Sequence, residues 1–396
     1  MGVMKRIWME AMERGNVPPD KGEYYICEHH YEDPNLNKII HDNAIDGRCT
    51  FCGRKTKVCD MHDFLSPVMS RIVIQYEDFE DAMLYSASGL YDSPDEIIPG
   101  FRNINGYVVP NEAEYYDSID ELMEAVDLFS GDNAVDDYVR RQFGTQQWIS
   151  RDLFDIDGAT ELYNGWQRFA NIVQNQCRFT FLAQPHYLTI ENDHDKYNLL
   201  DKIGKYICDC NIIIELPKSE ILYRARRVRE IAKSYSFEDL TSPPSIFARA
   251  NRMSPVGISM FYATPDRETA IEECSGSDAN VVIGKFKTKK SLRIVDLTNL
   301  PKLSFWMENY DANHFLYLFH AELVKSLAPD DTNAISYVPS QVFTEWLRYM
   351  FKDEKGNPID GMVYKSAKTN GHNIVLFYDQ QSSWDILELV GYEVGK

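Results

Sequence analysis

Arg252, Tyr262 and Glu273 stand in one short window, "NRMSPVGISMFYATPDRETAIEE", and their types suit a pocket for an anionic, ring-bearing molecule. A guanidinium grips phosphate through paired hydrogen bonds, a phenol ring stacks on a flat heterocycle or meets a sugar hydroxyl, and a carboxylate supplies negative charge beside a developing cation. Arg224 in "LYRARR" offers a second guanidinium, and Ser340 in "YVPSQVFTEWLR" a hydroxyl at a helix start, where free backbone N–H groups seat anions. "DGMVYKSAKTNGHNIVLF" brings Tyr364, Ser366 and Asn373 around a turn. Each residue also has a plainer reading. A tyrosine at a strand end usually packs, and an arginine beside it usually stacks on its ring. Ser340 taken alone is an N-cap, and Asn373 a turn residue. Glu272 competes with Glu273, and Arg249 and Asn251 compete with Arg252 as the clamp. Gln341, Glu345, Tyr364 and Ser366 are supporting positions at most.

A second chemical cluster lies near the start of the chain. "CEHH" at 27 to 30 and "CTFC" at 49 to 52 give a C-x2-H and a C-x2-C, with Gly53 after the second cysteine as such knuckles require. Two turns of this kind close a tetrahedral zinc site, and four protein ligands make it structural because no position is left for water or substrate. Cys27, His30, Cys49 and Cys52 are the expected ligands. "CDMH" offers Cys59 and His62 as an alternative pair, and His29 stands beside His30. The plainer reading is a set of free thiols in a loop-rich segment.

The elements that must position these groups fall into three blocks: a Cys/His-rich, turn-rich segment over residues 1–65, an acidic and mostly helical block over 66–212, and an α+β block over 213–396. In "DSIDELMEAVDLF", Ser118 and Glu121 form a capping box, and Ile119, Leu122, Met123 and Val126 follow helical spacing. "NGWQRFANIVQNQCRF" and "DKYNLLDKIGKYIC" repeat that period. From "NIIIELPKSEILYRARR" onward, β-branched and aromatic runs broken by turns predict strands at "GISMFYA", "NVVIGKF", "SLRIVDL", "DGMVYKS", "NIVLFYD" and "DILELVGYEV". Helices are predicted at "NHFLYLFHAELVKSL" and at "TPDRETAIEE", the latter with Thr264 as N-cap and Pro265 at its first position. Arg252 then lies in a loop, Tyr262 at a strand end and Glu273 on the following helix, places where reactive groups collect on a rigid frame.

Composition sets outer bounds. The 396 residues are 44% hydrophobic and 26% charged, ordinary for packed protein of two or three domains. A net charge of -20 argues against a general polyanion-binding surface, though a locally basic pocket for a small phosphorylated ligand fits inside an acidic body. "MGVMKRIWMEAMERGN" has no apolar stretch of signal-peptide length, and nothing approaches the roughly 20 apolar residues of a membrane span, so the expected compartment is the cytoplasm. Eight cysteines there read as thiols or metal ligands rather than disulfides. No internal repeat and no low-complexity run is visible.

In order and spacing, "LYRAR", "NRMSPVGISMFYAT" with "ETAIEE", "YVPSQ", and "DGMVYKSA" followed by "GHNIVLF" are similar to the RES domain, named for its arginine, glutamate and serine. The block from about 216 to 396 resembles that family, which is found in bacterial NAD+-degrading toxins with a fold like that of ADP-ribosyltransferases. The knuckle and helical region look like the segment, usually described as HEPN-like, that precedes longer members. The resemblance implies an α+β fold class, with a C-terminal mixed α/β RES domain behind a zinc-knuckle segment and a mostly helical domain. It also implies cleavage of the nicotinamide–ribose bond of NAD+ by water or by inorganic phosphate as co-substrate. Glu273, favoured over Glu272 by its family spacing from Tyr262, would supply charge near the ribose. Tyr262 would stack on nicotinamide or bond the ribose, Arg224 and Arg252 would clamp the pyrophosphate, Ser340 would orient a phosphate oxygen, and Asn373 would help bind the substrate. The physiological expectation is a toxin or defence effector with a neutralising protein partner or trigger, a homo-oligomer being open and membrane and nucleic acid not expected. The runner-up is an ADP-ribosyltransferase acting on a macromolecule. A HEPN nuclease is disfavoured because Arg178 and His186 in "RFTFLAQPH" are too far apart and Pro185 interrupts the helix. The N-terminal region would then serve as an interaction or sensing module.

Overall fold

A computed structural model describes residues 3–86, 101–105, 107–111, 113–151, 158–180, 199–274, 280–325 and 334–395. His186, and with it the nuclease spacing from Arg178, lies outside them. The chain forms two units, Met1–Ile156 with Leu303–Tyr310, and Asp157–Lys302 with Asp311–Lys396.

In the first unit the antiparallel strands Tyr25–Ile26, Lys55–Asp60 and Ile45–Arg48 lie in that order. Asp60 accepts the His62 N–H at 2.9 Å and so starts the helix Met61–Gln75, which buries Phe64, Leu65, Val68, Met69 and Ile72 at helical spacing. The helix Ile119–Ala125 begins as expected at Ser118, whose hydroxyl accepts the Glu121 N–H. The return half of the box is shifted: the Glu121 carboxylate takes the Asp117 N–H at 2.8 Å. A sheet of Tyr76–Asp78, Trp148–Ser150 and Tyr115–Tyr116 was not expected in this region. Strands of two or three residues carry too little period to read.

The second unit is built on a mixed sheet that, among the described residues, runs in the order Phe261–Ala263, His372–Leu376, Gly361–Lys365, Leu292–Asp296, Ile213–Leu216. Only Leu292–Asp296 and Gly361–Lys365 pair in parallel. A second, antiparallel sheet joins Ile221–Val228, Asn280–Thr288 and Leu387–Gly395. A bridge between Tyr223 and Thr264 ties the first strand of this sheet to the edge of the other.

Register decides which side chains share a face. Tyr262 pairs with Val375, Val375 with Met362, and Asn373 with Tyr364, so these five residues lie on one side of the mixed sheet. That side meets Leu199–Asp209, Tyr310–Val324, Val338–Tyr349 and Gly158–Asn175, in a core rich in phenylalanine and tryptophan. The opposite side, with Phe261, Val363, Ile374 and Leu376, packs on Leu222, Phe237, Leu240, Val282 and Phe286. Local details differ from the expectation. The strand is only Phe261–Ala263, because Gly257 turns the chain at φ +85° and the preceding residues form a loop. The next helix is Arg267–Cys274, and Asp266 rather than Thr264 caps it, accepting the Thr269 N–H at 2.7 Å. Ser340 sits inside the first turn of Val338–Tyr349, not at its N-cap, which is Tyr337.

Phe319 is fully buried, with ring centroids of Trp166 at 4.8 Å, Phe343 at 4.9 Å and Phe315 at 5.5 Å. Phe319→Ala is expected to destabilise this unit by about 3–5 kcal/mol through lost burial and an unfilled cavity, read by urea unfolding followed through tryptophan fluorescence. An unchanged midpoint would mean the aromatic cluster does not hold the unit together.

Candidate functional site

Arg224 projects from the strand Ile221–Val228, and its Nη1 donates to the Tyr262 carbonyl at 2.7 Å. Its guanidinium carbon lies 5.7 Å from the centre of the Phe261 ring, and its Nε is buried with no hydrogen-bond partner. Burial, and then the neighbouring charge of Arg226, lower the Arg224 pKa to about 10. The group is still cationic at neutral pH. Among the described residues, the other charges it feels come from Tyr262 and Cys274, neither of them a carboxylate. A guanidinium nitrogen that is buried and unpartnered is costly to hold.

Tyr262 leaves the end of the neighbouring sheet, and its hydroxyl meets Ser254 Oγ at 2.9 Å. Burial pushes its phenol well above the usual tyrosine range, the Ser254 hydrogen bond working against that rise. Ser254 belongs to a loop pinned from several sides. Gln341 Nε2 donates to the carbonyls of Asn251 at 2.8 Å and Ser254 at 3.3 Å. The single hydroxyl proton of Ser340 lies between the carbonyls of Arg252 at 2.5 Å and Tyr337 at 2.9 Å. Arg252 Nη1 donates to the carbonyls of Leu323 and Lys325, closing the C-terminal end of the helix Tyr310–Val324, and its guanidinium lies 5.0 Å from the Tyr337 ring centre. Arg252 and Ser340 are thus engaged inside the fold, holding the loop on which Tyr262 leans.

Glu273 lies in the last turn of Arg267–Cys274. Its Oε1 accepts from Ser366 Oγ at 2.5 Å and from Asn373 Nδ2 at 2.7 Å. Ser366 Oγ in turn accepts the N–H groups of Lys368 and Thr369, each at 3.0 Å, which leaves its one proton for Glu273. Lys368 Nζ donates to the Glu273 carbonyl at 2.8 Å and stands 3.9 Å from Oε2. Two donors on one oxygen orient the carboxylate, whose side chain is 28% exposed. Tyr364 is buried beside this group, and burial raises its pKa well above the usual range, with the charges of Tyr262, Arg252, Glu273 and Tyr337 all felt there. The helix carrying Glu273 also meets the Arg224 strand, since the guanidinium of Arg227 donates to the Cys274 carbonyl.

The structure therefore joins Arg224 to Tyr262, Tyr262 to the Arg252–Ser340 loop, and Asn373 to Glu273. Sequence spacing does not point to Ser254, Tyr337 or Lys368. Their partners are far away in the chain and no short motif marks them.

In the first unit, Cys27, His30, Cys49 and Cys52 bring one ligand atom each to within 4.8 Å of one another. Cys27 and Cys52 sulfurs are 3.6 Å apart, and His30 Nε2 is 3.3 Å from Cys49 Sγ. Ordinary zinc–ligand bond lengths in a tetrahedron put two sulfurs about 3.8 Å apart and nitrogen and sulfur about 3.6 Å apart, so the spacing fits. The donor chemistry fits as well. Burial lifts the Cys27 thiol to about 12, while the His29 N–H turned toward its sulfur, and the Arg54 N–H toward that of Cys52, favour thiolates. Burial lowers the His30 pKa, favouring the neutral imidazole that binds metal. Gly53, at φ +71°, permits the knuckle turn in which its N–H returns to the Cys49 carbonyl. The alternative pair is committed elsewhere. Cys59 Sγ donates to the Asp60 carbonyl at 3.3 Å, and His62 Nδ1 meets the Pro19 carbonyl at 2.8 Å.

Residues 42–187 match the family described as HEPN/RES N-terminal domain 1, and residues 221–387 match the RES domain. No curated protein matches the chain. No described helix is long and apolar enough to cross a membrane.

The purified chain is expected to carry zinc, measured by emission spectrometry and colorimetric release. Cys49→Ser and Cys52→Ser are expected to lose it and Cys59→Ser to keep it. Zinc loss from Cys59→Ser alone would contradict this ligand set.

Proposed function

We propose that this chain, which belongs to the RES-domain family and carries the HEPN/RES N-terminal domain ahead of its RES domain, degrades NAD+ by breaking the bond between nicotinamide and ribose. The observation that carries the reading is the cation of Arg224, whose buried Nε has no hydrogen-bond partner and which meets no carboxylate among the described residues, an arrangement that suits the pyrophosphate of a dinucleotide. Nicotinamide is a good leaving group, so the barrier falls by holding the substrate still and by stabilising the oxocarbenium-like ribose. As the C1′–N bond breaks, its electron pair leaves with the nicotinamide nitrogen. Water or inorganic phosphate then bonds to C1′, water losing a proton as it does so.

In this proposal Glu273 faces the ribose with Oε2, while Ser366 and Asn373, bonded to Oε1, keep it aimed. Tyr262 supplies the flat face or the hydroxyl beside the nicotinamide ribose. Arg252 and Ser340 act by fixing the 251–254 loop, and any direct contact with a phosphate oxygen would require them to leave their carbonyl partners. Growth arrest or defence through NAD+ loss is the corresponding cellular role, and a structural zinc at the knuckles belongs to the same reading.

The test is incubation with NAD+, with and without phosphate, following free nicotinamide. The intact chain is expected to release it, and Glu273→Gln to lower kcat by about 100-fold or more with the fold unchanged by circular dichroism. A requirement for phosphate would establish phosphorolysis, and label passed to a macromolecule would establish ADP-ribosyl transfer instead. Folded wild-type protein that releases no nicotinamide would defeat the reading. Ser366→Ala is expected to reduce kcat about 10-fold while leaving KM within about twofold, because it acts through Glu273 rather than on substrate.

A further inference from the structure

We propose that the helix Asn133–Arg140 supplies the outer shell of the zinc centre, Asp132 orienting His30, so that bound metal fastens this helix to the knuckles. The inference rests on zinc occupying the cysteine–histidine cluster and is independent of the NAD+ reading.

His30 is buried and both of its ring nitrogens are spoken for. Nε2 faces Cys49 Sγ at 3.3 Å, and Nδ1 faces Asp132 Oδ2 at 3.5 Å. A metal on Nε2 forces the remaining proton onto Nδ1, which then needs an acceptor. A carboxylate in that place fixes the tautomer and the ring plane and makes the ligand nitrogen more basic. The two oxygens of Asp132 divide the work. Its Oδ1 accepts the Ala134 N–H at 3.0 Å and caps the helix, leaving Oδ2 for His30.

The segment around Asp132 is held in place before any metal arrives. Ser130 donates its N–H at 2.8 Å and its hydroxyl at 2.7 Å to Asp136 Oδ1, and the Asp132 N–H returns to Ser130 Oγ at 3.0 Å. Asp136, one turn into the helix, is itself buried, and its charge reaches His30 along with those of Asp132, Arg54 and His29. Two carboxylates on one helix end therefore bias this face of the site toward a cation. Farther along the helix, Tyr138 packs on the knuckle loop, with ring centroids 5.7 Å from Phe51 and 4.6 Å from Tyr24. Phe51 stands between the two ligands Cys49 and Cys52. Helix and knuckle thus meet at both an ionic and an aromatic contact, and a metal that fixes the knuckle fixes the helix with it.

The test uses the full chain and chelator competition for zinc. Asparagine caps a helix as well as aspartate does, so Asp132→Asn keeps the structural role and removes only the charge facing His30. Asp132→Asn is expected to weaken zinc by about 10–100-fold at unchanged helix content. Hydrogen exchange on the wild-type chain gives a second readout. Stripping zinc is expected to raise exchange across residues 133–140. Wild-type zinc affinity in Asp132→Asn, or unaltered exchange in that helix after zinc removal, would overturn the proposal.

Discussion

A positive charge removed from water needs either a partner or a reason to wait for one. Arg224 is half-buried, with one N–H on a backbone carbonyl, its Nε buried without a partner, and a like charge at Arg226 as its strongest electrostatic neighbour. An arginine with a desolvated guanidinium nitrogen is ordinarily matched with a carboxylate. The surrounding fold accepts this cost because the strand is fixed on both sides, by the pairing with Asn280–Thr288 and by the Tyr223–Thr264 bridge.

The remaining polar groups read as the means of keeping the frame still. One set of bonds, from Gln341, Ser340 and Arg252, ends on backbone carbonyls and ties the 251–254 loop to two helices. Another, from the turn N–H groups through Ser366, ends on Glu273. Those donors end on one carboxylate oxygen, and the Lys368 ammonium stands 3.9 Å from the other. The Arg224 guanidinium and the Glu273 carboxylate are carried on adjoining elements, the strand Ile221–Val228 and the helix Arg267–Cys274. The first unit follows a different logic, in which sulfur and imidazole donors converge on a point and acidic side chains stand behind them.

Much of the second unit was legible because β-branched runs and turn residues repeat clearly after residue 212, and because short motifs in a fixed order narrow the family. The clustering of Cys27, His30, Cys49 and Cys52 was legible for the same reason: a C-x2-C followed by glycine is a local geometric statement. What escaped was non-local. Ser340 reads as a cap or an anion seat from its neighbours alone, yet its proton goes to the carbonyl of Arg252, which no local pattern reveals. Ser366 looked like a supporting residue, and only the hairpin pairing Tyr364 with Asn373 brings it to Glu273. Strands of two or three residues, such as Tyr115–Tyr116, have no period to detect. Gly257 ended a strand that its hydrophobic neighbours seemed to continue, because a positive φ outweighs propensity at that point.

Calorimetric titration of ADP-ribose and of nicotinamide riboside into the wild-type chain and Arg224→Ala tests the central claim most directly. If the Arg224 cation exists to receive a pyrophosphate, ADP-ribose binding weakens by about 10–100-fold and nicotinamide riboside binding does not change. Equal affinity of wild type and variant for ADP-ribose would contradict it.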